Sequence, residues 1–184
     1  MNHINLKAYE GVESLSRFSD EDFKNYCIDK LDSVDKHIHF LKKNVIHPGY
    51  QGRVLEIGSG NGKLLFRLEK EGLLEKGFGY EVSKSRCYFA EKFKNYVDSK
   101  KVEIINEDFF RADISPVGVD LVIGTDIVIN LIGGIKTNLI DNCIQLAKKN
   151  IKQGKIIFEF ETFERECAQL RNSEEGMFRN WKQF

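Results

Sequence analysis

Nine residues, Val54-Leu55-Glu56-Ile57-Gly58-Ser59-Gly60-Asn61-Gly62, limit what this chain can fold into more than any others. Val54, Leu55 and Ile57 make the short apolar, β-branched run expected of a buried strand. Glycines at alternate positions follow at once, and Lys63-Leu64-Leu65-Phe66-Arg67-Leu68 resumes with helix formers. Strand, glycine turn and helix in succession form a ligand-holding unit, because glycine permits a sharp turn and lets backbone N–H groups approach a bound group. Two better-known loops do not match. The dinucleotide pattern G-x-G-x-x-G requires glycine where the chain has Lys63, and the phosphate loop G-x-x-x-x-G-K-[ST] requires a hydroxyl where it has Leu64. Taken alone, the turn also suits an α/β domain that binds nothing there, so the downstream residues decide.

Those residues alternate between strand and helix. Gly77-Phe78-Gly79-Tyr80-Glu81-Val82 reads as a second strand and Ser83 to Val97 as its helix, with Phe89, Ala90, Phe93, Tyr96 and Val97 inward. Val102-Glu103-Ile104-Ile105 is a third strand, Val119 to Gly124 a fourth and Lys155 to Phe160 a fifth, with a helix around Leu139 to Ala147 between the last two. Repeated alternation implies right-handed crossovers and a doubly wound, mostly parallel α/β sheet. Ahead of it, Ser19 and Asp22 form a capping box. Phe23, Cys27, Leu31, Val34, Ile38, Leu41 and Val45 then recur at spacings of three and four, which predicts one long amphipathic helix to residue 46. The expected organisation is one domain over 1–184, with a helical lid in 1–50 and a core in 51–162.

Composition removes several function classes. Lysine plus arginine equals aspartate plus glutamate, 28 against 28, so no basic face argues for nucleic acid. Lys148, Lys149, Lys152 and Lys155 suit a solvated helix end. The four cysteines form no C-x-x-C pair and read as small apolar fillers, with no metal site expected. The first residues carry no secretory pattern, and the run Ile127 to Ile135 is too short to span a bilayer. A reduced, cytoplasmic setting without membrane contact is expected.

In a doubly wound sheet, ligands sit beyond the carboxyl ends of the strands at the switch point. Glu81, between Tyr80 and Val82, stands at such an end, where a carboxylate accepts hydrogen bonds from both hydroxyls of a ribose; an ordinary solvated glutamate is the alternative. Asp108, followed by Phe109 and Phe110, can accept from an adenine amino group while a ring lies on the base. Thr125 and Asp126 end the fourth strand across from the glycine loop; Asp126 suits either a helix cap or work beside a reacting atom. His37 and His39 ride on the long helix and His47 lies just beyond it, with surface or boundary positions the plainer reading.

Together, Glu56 to Gly62, Glu81, Asp108-Phe109 and Asp120-Leu121-Val122 resemble the class I S-adenosylmethionine-dependent methyltransferases over about residues 53 to 160. The resemblance implies that S-adenosylmethionine is the cofactor and S-adenosylhomocysteine the product. Gly58, Ser59 and Gly60 would approach the methionine and ribose portions, and Glu56 would orient the loop or bind the methionine amino group through water. Glu81, with Val82 beside it, would hold the ribose. Asp108 and the Phe109 main chain would take the adenine, and main chain at Gly124 and Thr125 would meet the methionine end. The helix over 19–46 would lie across the cofactor.

Two departures shape the expected activity. Members that methylate bases or glutamine carry an Asn/Asp-Pro-Pro-aromatic sequence after the fourth strand, where this chain has Thr125-Asp126-Ile127-Val128. The family's last two strands, an antiparallel hairpin, are not legible before Phe184, so the hairpin is expected to lie in further sequence or an oligomer partner to cover the fifth strand. The expected reaction is methyl transfer to a small-molecule or sugar acceptor at oxygen, with Asp126 as first-choice base and His37 or His39 next. A protein lysine methyltransferase, a silent cofactor-binding subunit and an NAD-dependent oxidoreductase are the alternatives.

Overall fold

A computed structural model of the chain describes residues 19–109, 118–124 and 151–158. Five strands pair as one parallel sheet of order β3-β2-β1-β4-β5: β1 (Gly52–Ile57), β2 (Leu74–Tyr80), β3 (Val102–Ile105), β4 (Val119–Gly124) and β5 (Ile151–Phe158). The winding reverses between β1 and β4, which places a ligand crevice at their carboxyl ends. This is the doubly wound architecture that the alternation predicts. The third and fourth strands have their expected limits. β2 instead starts at Leu74 and stops at Tyr80, because its ladder with β1 ends at the pair Ile57 and Tyr80, where the glycine turn leaves the sheet. Glu81 and Val82 therefore lie just past the strand. β5 starts at Ile151, paired with Val119, rather than at Lys155, and Phe158 pairs with Gly124; the expected strand residues Glu159 and Phe160 lie outside the described residues.

The predicted single helix over 19–46 is two: α1 (Asp20–Asp32) and α2 (Asp35–Asn44). Ser33 ends the first. Its N–H bonds the Asp29 carbonyl and its Oγ donates to the Lys30 carbonyl at 2.8 Å, so the hydroxyl satisfies a backbone acceptor that a continuing helix would use. The apolar stripe survives the break, with Cys27, Leu31, Val34, Ile38 and Leu41 all buried. Burial pushes the Cys27 thiol up to about 12, as suits an apolar filler. The capping box is present: Ser19 Oγ accepts the Asp22 N–H, and the Asp22 carboxylate accepts the Ser19 N–H.

Helices α3 (Lys63–Lys70) and α4 (Lys84–Tyr96) connect β1 to β2 and β2 to β3. Leu64, Leu65, Phe66 and Leu68 of α3 pack with Val54, Val102, Leu121 and Ile123 of the sheet and with the stripe of α1 and α2 in one cluster. Each leucine buried there contributes ~2 kcal/mol. Glu69 fixes the turn before β3, accepting from the Ser99 hydroxyl and from the N–H groups of Lys100 and Lys101.

Charge joins the helices. Arg67 of α3 reaches Asp35 at 2.9 Å, Glu71 at 3.1 Å and Asp32 at 3.5 Å, and Lys42 of α2 donates to Glu71 at 2.6 Å. The Lys42 hydrogen bond, followed by the charges of Lys42 and Arg67, holds the Glu71 carboxyl below its ordinary range despite some burial. A lowered folded pKa adds stability that is present above the unfolded carboxyl pKa of about 4.3 and disappears as pH falls through the folded value. Urea unfolding of the wild type against Glu71→Gln is expected to show a stability gap at neutral pH that closes below about pH 4. A gap that persisted at pH ~2.5 would mean that Glu71 acts through packing rather than charge.

Candidate functional site

The glycine loop between β1 and α3 has Gly58, Gly60 and Gly62 at φ 69°, 57° and 77°. These are left-handed conformations in which a side chain is strained, which accounts for glycine at each alternate position. The chain curls back on the end of β2. Gly58 N and Ser59 N both donate to the Tyr80 carbonyl at 2.9 and 3.0 Å, and Gly62 N donates to the Ser59 carbonyl at 2.8 Å. Ser59 is 4% exposed, and its Oγ makes no hydrogen bond among the described residues.

Glu81 is the centre of this arrangement. It is 7% exposed, and its two carboxylate oxygens accept the N–H groups of Gly60 and Ser83, each at 2.8 Å. The Gly60 bond ties the loop to the end of β2, and the Ser83 bond ties that end to the start of α4, whose N-cap is Ser83 itself. A carboxylate oxygen that has accepted one N–H keeps a second acceptor position, so Glu81 can still receive a vicinal diol. The direction in which Gly60 lacks a side chain is open except for Arg86, whose Nη1 lies 3.3 Å from the Cβ that glycine does not have. Arg86, in the first turn of α4, thus puts a cation on the same face of the loop. Cys87, one residue on, donates to the Glu81 carbonyl, and burial followed by the Glu81 charge pushes its thiol up to about 11.

Glu56 lies one residue before the end of β1, 2% exposed, with Gly79 and Ile123 beside it in register on the neighbouring strands. Val82 follows Glu81 out of the sheet and gives its carbonyl to Asn106. Asp108 is partly buried after β3. The ring of Phe109 is not available to a base: it is 3% exposed and meets Tyr80 edge-on at 5.4 Å. The expectation that a ring of this pair covers adenine is corrected for Phe109, whose apolar ring is held by the core. His37 lies on α2, the helix anchored through Asp35 and Lys42 to Arg67 and Glu71, in and just past the carboxyl-terminal half of α3, away from the Gly62 end. Thr125 and Asp126 lie outside the described residues.

Four contributors were not anticipated. Asn106 Nδ2 donates to the carbonyls of Glu81 at 2.9 Å and Val82 at 3.2 Å, locking the ends of β2 and β3 together. Asn61 Nδ2 donates to the Tyr26 hydroxyl of α1 at 2.7 Å while its Oδ1 accepts from Lys63 N at 3.3 Å. With Arg86, these are the additions to the predicted set. An amide side chain inside a glycine turn, just ahead of a helix, was the one local signal for Asn61; nothing local marks Tyr26. Among the described residues, no group of three histidine, cysteine or acidic side chains is placed to hold a metal, and no helix is long and apolar enough to cross a membrane.

No family model matches the chain, and no curated protein matches it by sequence. Solved structures do. The PH0226 protein of Pyrococcus horikoshii OT3 is 19% identical with a TM-score of 0.59, over 79% of this chain and 59% of that one. A methyltransferase of Thiobacillus denitrificans, solved with S-adenosyl-L-homocysteine, is 18% identical with a TM-score of 0.53, over 78% and 54%. A methyltransferase of Geobacter sulfurreducens, also solved with S-adenosyl-L-homocysteine, is 20% identical with a TM-score of 0.51, over 71% and 47%. The chain therefore spans about half the length of these structures, and at such identities the likeness is one of architecture. Strand order, the glycine loop after β1 and the acid after β2 agree with it: the chain has the fold of the class I S-adenosylmethionine-dependent methyltransferases.

Proposed function

We propose that the chain binds S-adenosylmethionine at the carboxyl ends of β1, β2 and β4 and directs its methyl group to a small-molecule or glycan acceptor, at oxygen. The observation that carries the reading is Glu81: a buried carboxylate clamped by the Gly60 and Ser83 N–H groups, next to a loop of left-handed glycines. The donor set suits a ribonucleoside. Glu81 has acceptor capacity left for a diol, and beside Gly60 only the end of the Arg86 side chain stands where a sugar ring would come close. Bound there, the cofactor supplies a methyl group already activated on a sulfonium.

The protein's own task is then alignment and exclusion of water. In this reading Glu81, with Val82 adjoining, fixes the ribose, while Asp108 and the Phe109 main chain receive the adenine amino group. Gly58, Ser59, Gly60 and Thr125 line the path toward the methionine end, where Glu56 stands ready for the amino group. Asp126 takes the proton of an acceptor hydroxyl; His37, anchored at the far end of α3, is set aside for that role.

Titration calorimetry with S-adenosylhomocysteine is the direct test, with NAD as the control. Saturable uptake of the first and none of the second is expected, together with a rise in melting temperature that grows with ligand concentration. Absence of uptake by the folded protein refutes the reading. Isotopic methyl transfer to fractionated extracts then separates acceptors: label in metabolites or glycans is the expected result, and label in proteins points to lysine transfer instead.

A further inference from the structure

The loop that would hold the nucleoside is tied to α1 through Asn61. Asn61 is 6% exposed, sits between Gly60 and Gly62, and spends both ends of its amide: Oδ1 on the first N–H of α3 and Nδ2 on the hydroxyl of Tyr26. Tyr26 belongs to α1, 35 residues away in sequence. Its ring is wedged edge-on against Phe89 of α4 at 4.6 Å, with the Lys30 ammonium 5.1 Å from its centroid. Phe23, one turn earlier, packs on the same Phe89 at 5.5 Å and on Tyr96 at 6.0 Å. The hydroxyl is therefore delivered to Asn61 by a ring whose position α4 sets. The same α4 begins at Ser83 and Arg86, which hold Glu81 and cover Gly60.

From this geometry we propose that Tyr26 is a positioning residue for the nucleoside site, acting through Asn61 on the Gly60–Gly62 half of the loop. The inference rests on the reading of that loop as the cofactor site. Gly60 and Gly62 have no side chains and occupy conformations that a free chain samples among many others. Their neighbours must hold them. On one side the Gly60 N–H is held by Glu81; on the other, Asn61 is held by Tyr26. With the second hold removed, the loop samples conformations in which the Gly60 N–H and the second acceptor positions of Glu81 no longer face the ligand together. Affinity falls by the fraction of time spent there.

Tyr26→Phe removes the hydroxyl and keeps the ring on Phe89, so folding is preserved. Two readouts test it. Hydrogen exchange on the ligand-free protein should show faster exchange at the Gly60 and Gly62 amides, with β1 and β3 unchanged. Calorimetry well below the melting temperature should show S-adenosylhomocysteine bound about 5–10-fold more weakly, the range expected for losing one buried side-chain hydrogen bond. Asn61→Ala should give a similar loss, and the double variant should lose little more than either single one. Unchanged loop exchange, unchanged affinity in Tyr26→Phe, or fully additive losses would each overturn the proposal. If the wild type takes up no S-adenosylhomocysteine, the functional reading fails, and loop exchange in Tyr26→Phe still decides whether α1 controls the loop.

Discussion

Glu81→Gln is expected to cost the protein about 2 kcal/mol of stability and to weaken S-adenosylhomocysteine binding at least ~100-fold. The substitution keeps the shape of the side chain and changes only what its two terminal atoms offer. In the wild type both are acceptors, one for Gly60 N–H and one for Ser83 N–H. Glutamine presents one oxygen and one NH2, so one of the two backbone donors faces another donor in a site only 7% exposed. Losing a charge-assisted bond and leaving a buried N–H without an acceptor costs about 1.5–3 kcal/mol, partly offset because an amide is easier to bury than a carboxylate. Binding loses more, because the glutamine NH2 cannot accept from a ribose hydroxyl and the loop that it releases carries Gly60. Urea unfolding measures the first effect and calorimetry the second. Glu107→Gln, at an exposed position after β3, is the control and should stay within ~0.5 kcal/mol of wild type. An unchanged urea midpoint in Glu81→Gln would show that its carboxylate does not hold the loop.

How much of this was legible in the sequence differs by element, for physical reasons. Val119 to Gly124 and Val102 to Ile105 read directly as strands because apolar, β-branched runs bounded by turns have few other stable forms. Glu81 was legible because an acid just after an apolar strand, one crossover beyond a glycine turn, has only a few places to go in a doubly wound sheet. The break at Ser33 was hidden, since a stripe at spacings of three and four continues through a single turn without losing phase; only the hydroxyl bond to the Lys30 carbonyl shows it. The burial of the Phe109 ring was not legible, because a strand-end aromatic serves a base or the core equally well, and Tyr80 at the end of the neighbouring strand decides it. Tyr26 and Asn61 could not be paired from the sequence at all. Their contact depends on how α1 crosses the loop, which is a matter of tertiary packing and leaves no local pattern.

Gly79→Ala should be the more damaging of two superficially equal changes. Gly77 and Gly79 alternate on β2 and so face the same side of the sheet, toward α3 and the glycine loop. A Cβ on Gly77 would meet Leu74 Cδ2 at 2.9 Å and Leu65 Cδ2 at 3.3 Å, both at the far ends of side chains that can turn away. A Cβ on Gly79 would meet Ser59 Oγ at 2.5 Å, Ser59 Cβ at 2.7 Å and Ile104 Cδ1 at 2.7 Å. Ile104 can rotate and the serine hydroxyl can swing aside, but Ser59 Cβ is fixed to the backbone of the loop. Relief therefore requires the loop to lift from the sheet, stretching the bonds from Gly58 N and Ser59 N to the Tyr80 carbonyl and from Gly60 N to Glu81. The expected cost is about 2–3 kcal/mol for Gly79→Ala against about 1 kcal/mol or less for Gly77→Ala, from overpacking of this kind. S-adenosylhomocysteine binding should be lost in the first and largely retained in the second. Adding Ser59→Gly to Gly79→Ala removes both serine atoms in the way and should restore part of the stability, a coupling that two independent sites would not show. Equal urea midpoints for Gly77→Ala and Gly79→Ala, or no rescue by Ser59→Gly, would mean that the loop does not rest on Gly79 and that something other than this close approach keeps glycine in β2.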